Sequence, residues 1–469
     1  MGRASRRRGQ GQDANLFAPL KNDLGLRGGK GGAFTHTRAS TTLTVDSSGY
    51  YQSVASGVAA YDTNGLRVTP QLTNKCQCYG LIPDDAEQTA LTSGTMTVGK
   101  VYKIKVQEST TDFVADGAAN PHAVGDTFVC TAATVTLTAT KSVAEMQWAV
   151  GTKSFYNGST WVQNIAGVQI SGYGSALNTG TLEIVLDSVA ITSGNLQYIN
   201  TNSKVLKFIA TDANQLYISG TVGNTNAHSL SVVAREAVSG TSEFGIDGGT
   251  RAQITGTSYA VIKKENVTPA TADKKAYFNC VSSTIFFLLP GLYETTVAPL
   301  YPIVANSTSG TTTRAQVTAT IPLAPNFRQA SGMLYLTATP DFAAANIPIN
   351  TQVAIATLNS GTAKGLLYFA TDGSGNGSLN AFDGTNTATI AWTSVAGTPA
   401  KVGCRWNTAL NELQVSLNGT NGTATSYDGG FTVDGQNKIY LQGIAGGFSI
   451  KNVFSSADRG AAALAAATT

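Results

Sequence analysis

Hydrolytic chemistry needs paired acidic groups at a spacing that brings them together, and this chain offers two such pairs. Glu183 with Asp187 and Glu243 with Asp247 stand at i, i+4, which on a strand puts both side chains on one sheet face. Two carboxylates facing one cleft are what glycosidic hydrolysis requires, one as acid and the other as base or nucleophile. Asp187 and Asp247 also lie beside Ser or Gly, and turn chemistry accounts for them more simply. The histidines offer no nucleophile partner: His36 falls in a Thr-rich stretch, His122 in a turn and His228 at the start of a strand-like run. The Gly-x-Ser-x-Gly elbow of a serine hydrolase is missing from the sequence. Asp372-Gly-Ser-Gly-Asn-Gly alternates oxygen donors as a calcium loop does, but it lacks the acidic closing residue. A hairpin turn is the simpler expectation there. The Gly-rich run at 26–32, LRGGKGG, lacks the Gly-Lys-Ser/Thr of a phosphate cradle.

Cys76, Cys78, Cys130, Cys280 and Cys404 are widely spaced except for one Cys-x-Cys, too tight for a zinc knuckle. We expect buried, reduced thiols, no metal and no cofactor. Aromatic residues beside amide donors are better placed to bind something, because a ring can stack on a sugar while amides take its hydroxyls. Trp148 and Trp161 with Tyr156 and Asn157 form one such group. Trp392 and Trp406 form another, but each alternates with Ile390 or Cys404 and reads as core. Trp161, inside NGSTWVQN, is the tryptophan expected to be exposed. Trp161, Asn157 and Tyr156 are therefore the candidate glycan contacts.

The elements that must position these residues are strands. The chain has 469 residues, more than one hydrophobic core usually supports. Charged residues make up 13% and Gly numbers 50, which excludes helical bundles and coiled coils rich in Glu, Lys and Leu. No apolar run is long enough for a membrane-spanning helix, and no membrane partner is expected. Strand-like runs recur with turn signals such as SGN, TDAN, GNTN and DGGT between them. The fold class is all-β: tandem antiparallel β-sandwich (jelly-roll) domains with an extended basic N-terminal arm and a small inserted β-module. The expected boundaries are 1–33 for the arm, 34–91 for an extended segment packing on the first sandwich, and 92–145 for the module. The first sandwich would then be 146–316, ending in a polar linker near 306–313, and the second 317–469. Ser456 is the expected N-cap of a short Ala-rich terminal helix, with Asp458 in its first turn.

The net charge is +3, and it is unevenly spread. Residues 1–30 hold Arg3, Arg6, Arg7, Arg8, Lys21, Arg27 and Lys30 against Asp13 and Asp23, 7 − 2 = +5, which leaves 3 − 5 = −2 for the rest. A basic arm followed by a sticky segment holding Leu16 and Phe17 could be a solvated tail, dock on an acidic protein surface or contact phosphate; if it docks, Arg6, Arg7, Arg8, Leu16 and Phe17 are the candidate anchoring residues. A nucleic-acid partner is not expected from so small an overall charge. The opening residues lack the apolar stretch of an export signal, which fits synthesis in a cytoplasm.

Three stretches carry a family resemblance. FTHTRAST (34–41), followed by Val45, Asp46 and the turn residue Gly49, resembles the opening of many tailed-bacteriophage virion proteins. GLYETTVAPLYPIVANSTSGTTTRAQ (291–316) resembles the end of their first sandwich, with Glu294, Tyr301, Pro302, Ile303, Arg314 and Ala315 at the matching positions. FDGTNTATIAWTSVAGTPAKVGCRWNTALNELQVSLNGT (382–420) and FSIKNVFSSADRGAAAL (448–464) resemble a concanavalin A-like, laminin G-like jelly roll. The resemblance implies a virion appendage, a head or tail fibre or spike with lectin-like sandwiches. Its partners would be other virion structural proteins, further copies of itself in a homotrimer, and a host-surface glycan. It implies attachment without catalysis, in a virion assembled from protein made in the bacterial cytoplasm. The alternatives are a polysaccharide-degrading tailspike and a cellular lectin or adhesin.

Overall fold

The computed structural model describes residues 14–18, 35–40, 42–45, 51–76, 80–155, 180–187, 189, 192–193, 196–197, 204–210, 213–238, 240–299, 303–304, 311–323, 327–362, 364–431 and 433–469. Strands dominate the described residues, and the long ladders of both units are antiparallel. The chain divides into two compact units. One comprises Met1–Leu72, Pro299–Tyr301 and Thr313–Thr469, and the other Thr73–Ala298 and Pro302–Thr312.

The second of these units is a sandwich carrying a module. Its larger sheet runs in the spatial order Lys153–Phe155, Gly180–Leu186, Lys204–Ala210, Thr284–Tyr293, His228–Glu236, Ala260–Val267. The smaller one orders Ala213–Thr221, Lys275–Val281, Glu243–Ile246 and Arg251–Gln253. Side chains alternate across a strand, so Leu182 and Ile184 enter the core while Glu183 between them stays half-buried. Phe244 stacks on Phe278 at 4.9 Å, and Phe278 meets Phe287 at 4.5 Å, which joins the two sheets. Burying each such ring contributes about 1.5–3 kcal/mol.

The inserted module is a four-stranded sheet, ordered Thr127–Val129, Val101–Val106, Ser142–Gln147, Ala86–Glu87. It has its own core of Met96, Tyr102, Ile104, Phe113, Ala118, Phe128, Cys130, Leu137 and Val143. Leu91 and Val143 bridge at its root, where the Leu91 amide donates to the Val143 carbonyl at 2.7 Å.

The other unit is also a sandwich. One sheet orders Thr420–Asn421, Glu412–Leu417, Ala400–Asn407, Ser331–Pro340, Phe448–Ser456, Gly65–Val68 and Tyr61–Asp62. The facing sheet begins with strand β2, Thr35–Thr37, and continues through Thr318–Pro322, Lys438–Gln442, Gln352–Thr357, Leu367–Thr371, Gly377–Phe382 and Thr387–Ala391. Phe342 sits between Phe369 at 5.1 Å and Phe448 at 5.3 Å, one from each sheet. The Leu-x-Val-x-Leu-Asn-Gly stretch forms the hairpin its residues call for. Asn418 and Gly419 both take positive φ, 45° and 82°, as the twist-matched two-residue turn demands.

Two expectations need correction. The 34–91 segment does not pack as a whole on the first sandwich. β2 pairs with Thr318–Pro322, and Gly65–Val68 pairs with Phe448–Ser456, so its first part completes the C-terminal sandwich. Open sheet edges there take these strands up, and composition carries no signal for which sheet an edge strand joins. Ser456 is the last residue of a strand rather than a helix cap. Helix α1, Ala461–Thr468, starts after Gly460, with no side-chain cap. Asp458 precedes the helix: its carboxylate accepts from the Gly460 amide at 2.9 Å and from Asn407 Nδ2 at 2.7 Å.

Candidate functional site

The acidic pairs are ion-paired, each residue to its own cation. Glu183 lies 3.6 Å from Lys153 Nζ, and Asp187 lies 2.6 Å from the Arg235 guanidinium and accepts from Tyr259 Oη at 2.7 Å. Arg235 Cζ lies 3.8 Å from the Phe286 ring centroid. Burial, followed by the Asp187 hydrogen bond, drives the Tyr259 hydroxyl far above its ordinary pKa, so it remains a donor. Glu243 pairs with Arg251 at 3.1 Å and accepts from Asn279 Nδ2 at 3.2 Å, while Asp247 sits 3.4 Å from Lys274. Each of these carboxylates is taken up by its own cation, as structural ties are, and the two members of a pair do not face one cleft as an acid and base would.

The remaining sequence candidates sort as follows. Asp372 closes a tight turn: Oδ1 accepts from the Ser374 amide at 2.8 Å and the Asn376 amide at 2.9 Å, and Oδ2 accepts from Asn376 Nδ2 at 2.9 Å. Cys76, Cys130, Cys280 and Cys404 are buried and free of disulfides. Burial pushes the Cys130 thiol up to about 11 and that of Cys280 to about 12, so neither is a nucleophile at neutral pH. Trp392 and Trp406 are core residues, and Trp406 Nε1 donates to the Arg328 carbonyl at 2.8 Å. Trp148 packs half-buried against the core of its sandwich. Tyr156, Asn157 and Trp161, together with Arg6, Arg7, Arg8 and Cys78, lie outside the described residues. The backbone of Leu16 and Phe17 belongs to strand β1, Ala14–Ala18, which pairs antiparallel with Phe448–Ser456.

The motif residues have structural roles. Arg38, from FTHTRAST, is buried, and its Nη2 donates to the carbonyls of Ala55 at 2.6 Å, Val58 at 2.9 Å and Val54 at 3.2 Å. Ser40 Oγ accepts from the Ala315 amide at 2.8 Å, bringing the first Thr-Arg-Ala motif against the second. Glu294 pairs with Lys75 at 2.8 Å and accepts from Asn226 Nδ2 at 2.6 Å, and these bonds hold its carboxyl down at about 2. Lys75 Nζ also lies 3.3 Å from His228 Nε2. Burial, with the Lys75 charge adding to it, lowers that imidazole below its usual value.

Sequence reasoning missed one recess, beside α1. Leu464 of α1 packs toward the Ala400–Asn407 strand at Gly403, leaving Ala463, Ala466 and Ala467 to flank a cleft of about 130 Å³ with Met333, Tyr335, Ser456 and Arg459. Tyr335 stacks on Phe454 at 5.0 Å. The cleft combines an aromatic flank, an exposed guanidinium and a hydroxyl, the equipment for a small ligand with both apolar and acidic faces. No sequence motif marks it, because Tyr335 and Arg459 are 124 positions apart (459 − 335) and meet only through strand pairing.

A scan against known protein families finds no match, and neither does a search of curated proteins. Among solved structures, the chain is similar to the receptor binding domain of botulinum neurotoxin C/D mosaic serotype. That likeness has 10% identity and a TM-score of 0.24, over 32% of this chain and 39% of that one. The binding domain of Paraclostridial Mosquitocidal Protein 1 matches at 10% identity and a TM-score of 0.25, over 34% of this chain and 42% of that one. The botulinum neurotoxin serotype G binding domain matches at 10% identity and a TM-score of 0.25, over 32% and 39%. This chain spans 39–42% of the length of these solved chains.

Proposed function

We propose that the protein is a structural component of a tailed-phage virion, a head or tail fibre or spike appendage. In this reading it is a homotrimer held to other virion proteins by the basic arm, and it presents its sandwiches to a host-surface glycan. It performs no catalysis. The observation that carries the reading is the contact between Ser40 and Ala315, 275 positions apart in the chain, which brings the two Thr-Arg-Ala motifs of the resemblance together in one sandwich. The ion-paired carboxylates support attachment over hydrolysis. Weak single-site glycan contact, repeated across copies, would supply avidity.

Particle imaging tests the location: the reading requires density for this chain at a symmetric site on the virion, and its absence from purified particles would sink it. Release of reducing sugar from host capsule or lipopolysaccharide by the purified chain would establish the degrading tailspike instead. Deleting residues 1–30 is expected to abolish incorporation into particles. Trp161→Ala is expected to weaken retention on host cells about tenfold, the loss of one stacking contact of about 1.4 kcal/mol.

A further inference from the structure

We propose that β2 is an acid-released edge strand: protonation of His36 beside Arg38 lifts Thr35–Thr37 off Thr318–Pro322, and Arg38 is the clasp at which the opening stops. Among the described residues β2 is the outermost strand of its sheet, held by the pairing of Thr35 with Thr320, His36 with Ala319 and Thr37 with Thr318. Thr37 Oγ1 adds a bond to the Thr318 carbonyl at 3.2 Å. Directly facing residues of a ladder project to the same side. Ala319 is fully buried, so His36 points into the sandwich while Thr35 and Thr37 stay exposed. Two residues further on, the chain returns to that side, and Arg38 is buried. An edge strand with His and Arg at its inner positions, in place of Val or Leu, seals its sheet weakly.

The inner face of β2 holds nothing to receive a second charge. Both ring nitrogens of His36 are buried without a hydrogen-bond partner, and so are Nε and Nη1 of Arg38, while Arg38 Nη2 takes the carbonyls of Val54, Ala55 and Val58. The strand opposite offers Thr318, Ala319 and Thr320, and the loop beside it Ala55, Gly57 and Val58, none of them titratable. Among the described residues, Arg38 is the charge that acts on His36. A neutral imidazole tolerates this place, but an imidazolium there is a second buried cation with no carboxylate to answer it. Burial first, and the Arg38 charge second, hold His36 below its ordinary 6.5, with the Gly57 backbone opposing least. The neutral ring is therefore the packed form. Its packing is intact above pH 6.5 and weakens as the pH falls from there through the lowered value. Opening stops at Arg38 because its three carbonyl bonds do not involve the imidazole, and the Ser40–Ala315 bond lies beyond it.

Hydrogen exchange of the full chain, read by peptide mass and corrected for the intrinsic effect of pH on exchange, tests the release. Between about pH 7.5 and about pH 5, opening of residues 35–37 is expected to rise about tenfold. A free imidazole of pKa 6.5 sets a ceiling of about thirtyfold over that interval. The strand Ala400–Asn407, in the other sheet of the same sandwich, is expected to stay protected throughout and reports that the fold is intact. H36Q and H36N cannot take up the proton, and whichever keeps 400–407 protected is expected to show no rise at 35–37. H36K carries the charge permanently and is expected to leave 35–37 open already at about pH 7.5. The proposal is overturned by unchanged protection of 35–37 in the parent at about pH 5, or by the same rise in the neutral variants. Loss of protection at 400–407 together with 35–37 overturns it too, because the sandwich then unfolds as a whole and no single strand is released.

Discussion

Arg67 is 3% exposed, and its surroundings show what buried charge does in this protein. Nη1 donates to Asp341 Oδ1 at 2.5 Å and Ser449 Oγ at 2.8 Å, Nη2 pairs with Asp341 Oδ2, and Ser449 Oγ donates to Asp62 Oδ2 at 2.7 Å. Arg67→Ala leaves two buried carboxylates without their cation and is expected to cost the C-terminal sandwich about 3–5 kcal/mol. Guanidinium unfolding followed by the fluorescence of Trp392 and Trp406 measures this. Glu294 supplies a pH signature. Its folded carboxyl sits at about 2, below the ordinary 4.5, so the ionised form is the one favoured on folding. Its contribution is present above pH 4.5 and lost as the pH falls from there through about 2. His228, held below 6.5, adds in the same direction, because its neutral form is favoured and protonation opposes the fold. Glu294→Gln is expected to flatten the acid limb between pH 4.5 and 2 in near-ultraviolet circular dichroism. The effect should be small, because the Glu294 side chain is 37% exposed and solvent screens it. Neither network was legible in sequence, since Arg67 and Asp341 are 274 positions apart.

Turns and edges set the elements. Gly65 follows the Thr63–Asn64 turn with φ +122°, and a Cβ there would lie 2.2 Å from the Ile450 carbonyl oxygen. Gly65→Ala is therefore strained twice, by conformation and by contact, and should destabilise the sandwich by at least about 1–3 kcal/mol, lowering its melting temperature. The turn itself was readable, because Thr-Asn-Gly between strand-like runs is a hairpin signal. What lay across from it was not, because the Phe448–Ser456 strand arrives from the far end of the chain. The misplaced helix start has a similar cause. Ser456 matches a cap by residue type, yet strand pairing with Met333 retains it and Asp458 is drawn to Asn407 and Gly460.

At the scale of the whole molecule, the module is expected to be dispensable for folding. Its ends meet at the Leu91–Val143 bridge, and Gln147–Ala86 and Met146–Glu87 pairing continues the same hairpin toward the sandwich. Replacing residues 92–142 by Asn-Gly should leave a cooperative sandwich, weaker by about 1 kcal/mol for the lost bond from the Lys153 amide to the Gly99 carbonyl. Loss of the cooperative melting transition would contradict this. The sequence alone determined the all-β class and the turn chemistry of Asp372 and Asn418–Gly419, because alternation and turn preference act over a few neighbouring residues. It also marked Trp392 and Trp406 as core, by their alternation with apolar neighbours. Only the tertiary structure decided that Thr35–Thr37, Tyr61–Asp62 and Gly65–Val68 join the sheets of the C-terminal sandwich, that the spaced carboxylates pair with cations, and that Tyr335, Ser456 and Arg459 share a cleft. Those outcomes depend on which distant strands pair, and a hydrogen-bonded ladder leaves no local trace of its partner in either strand.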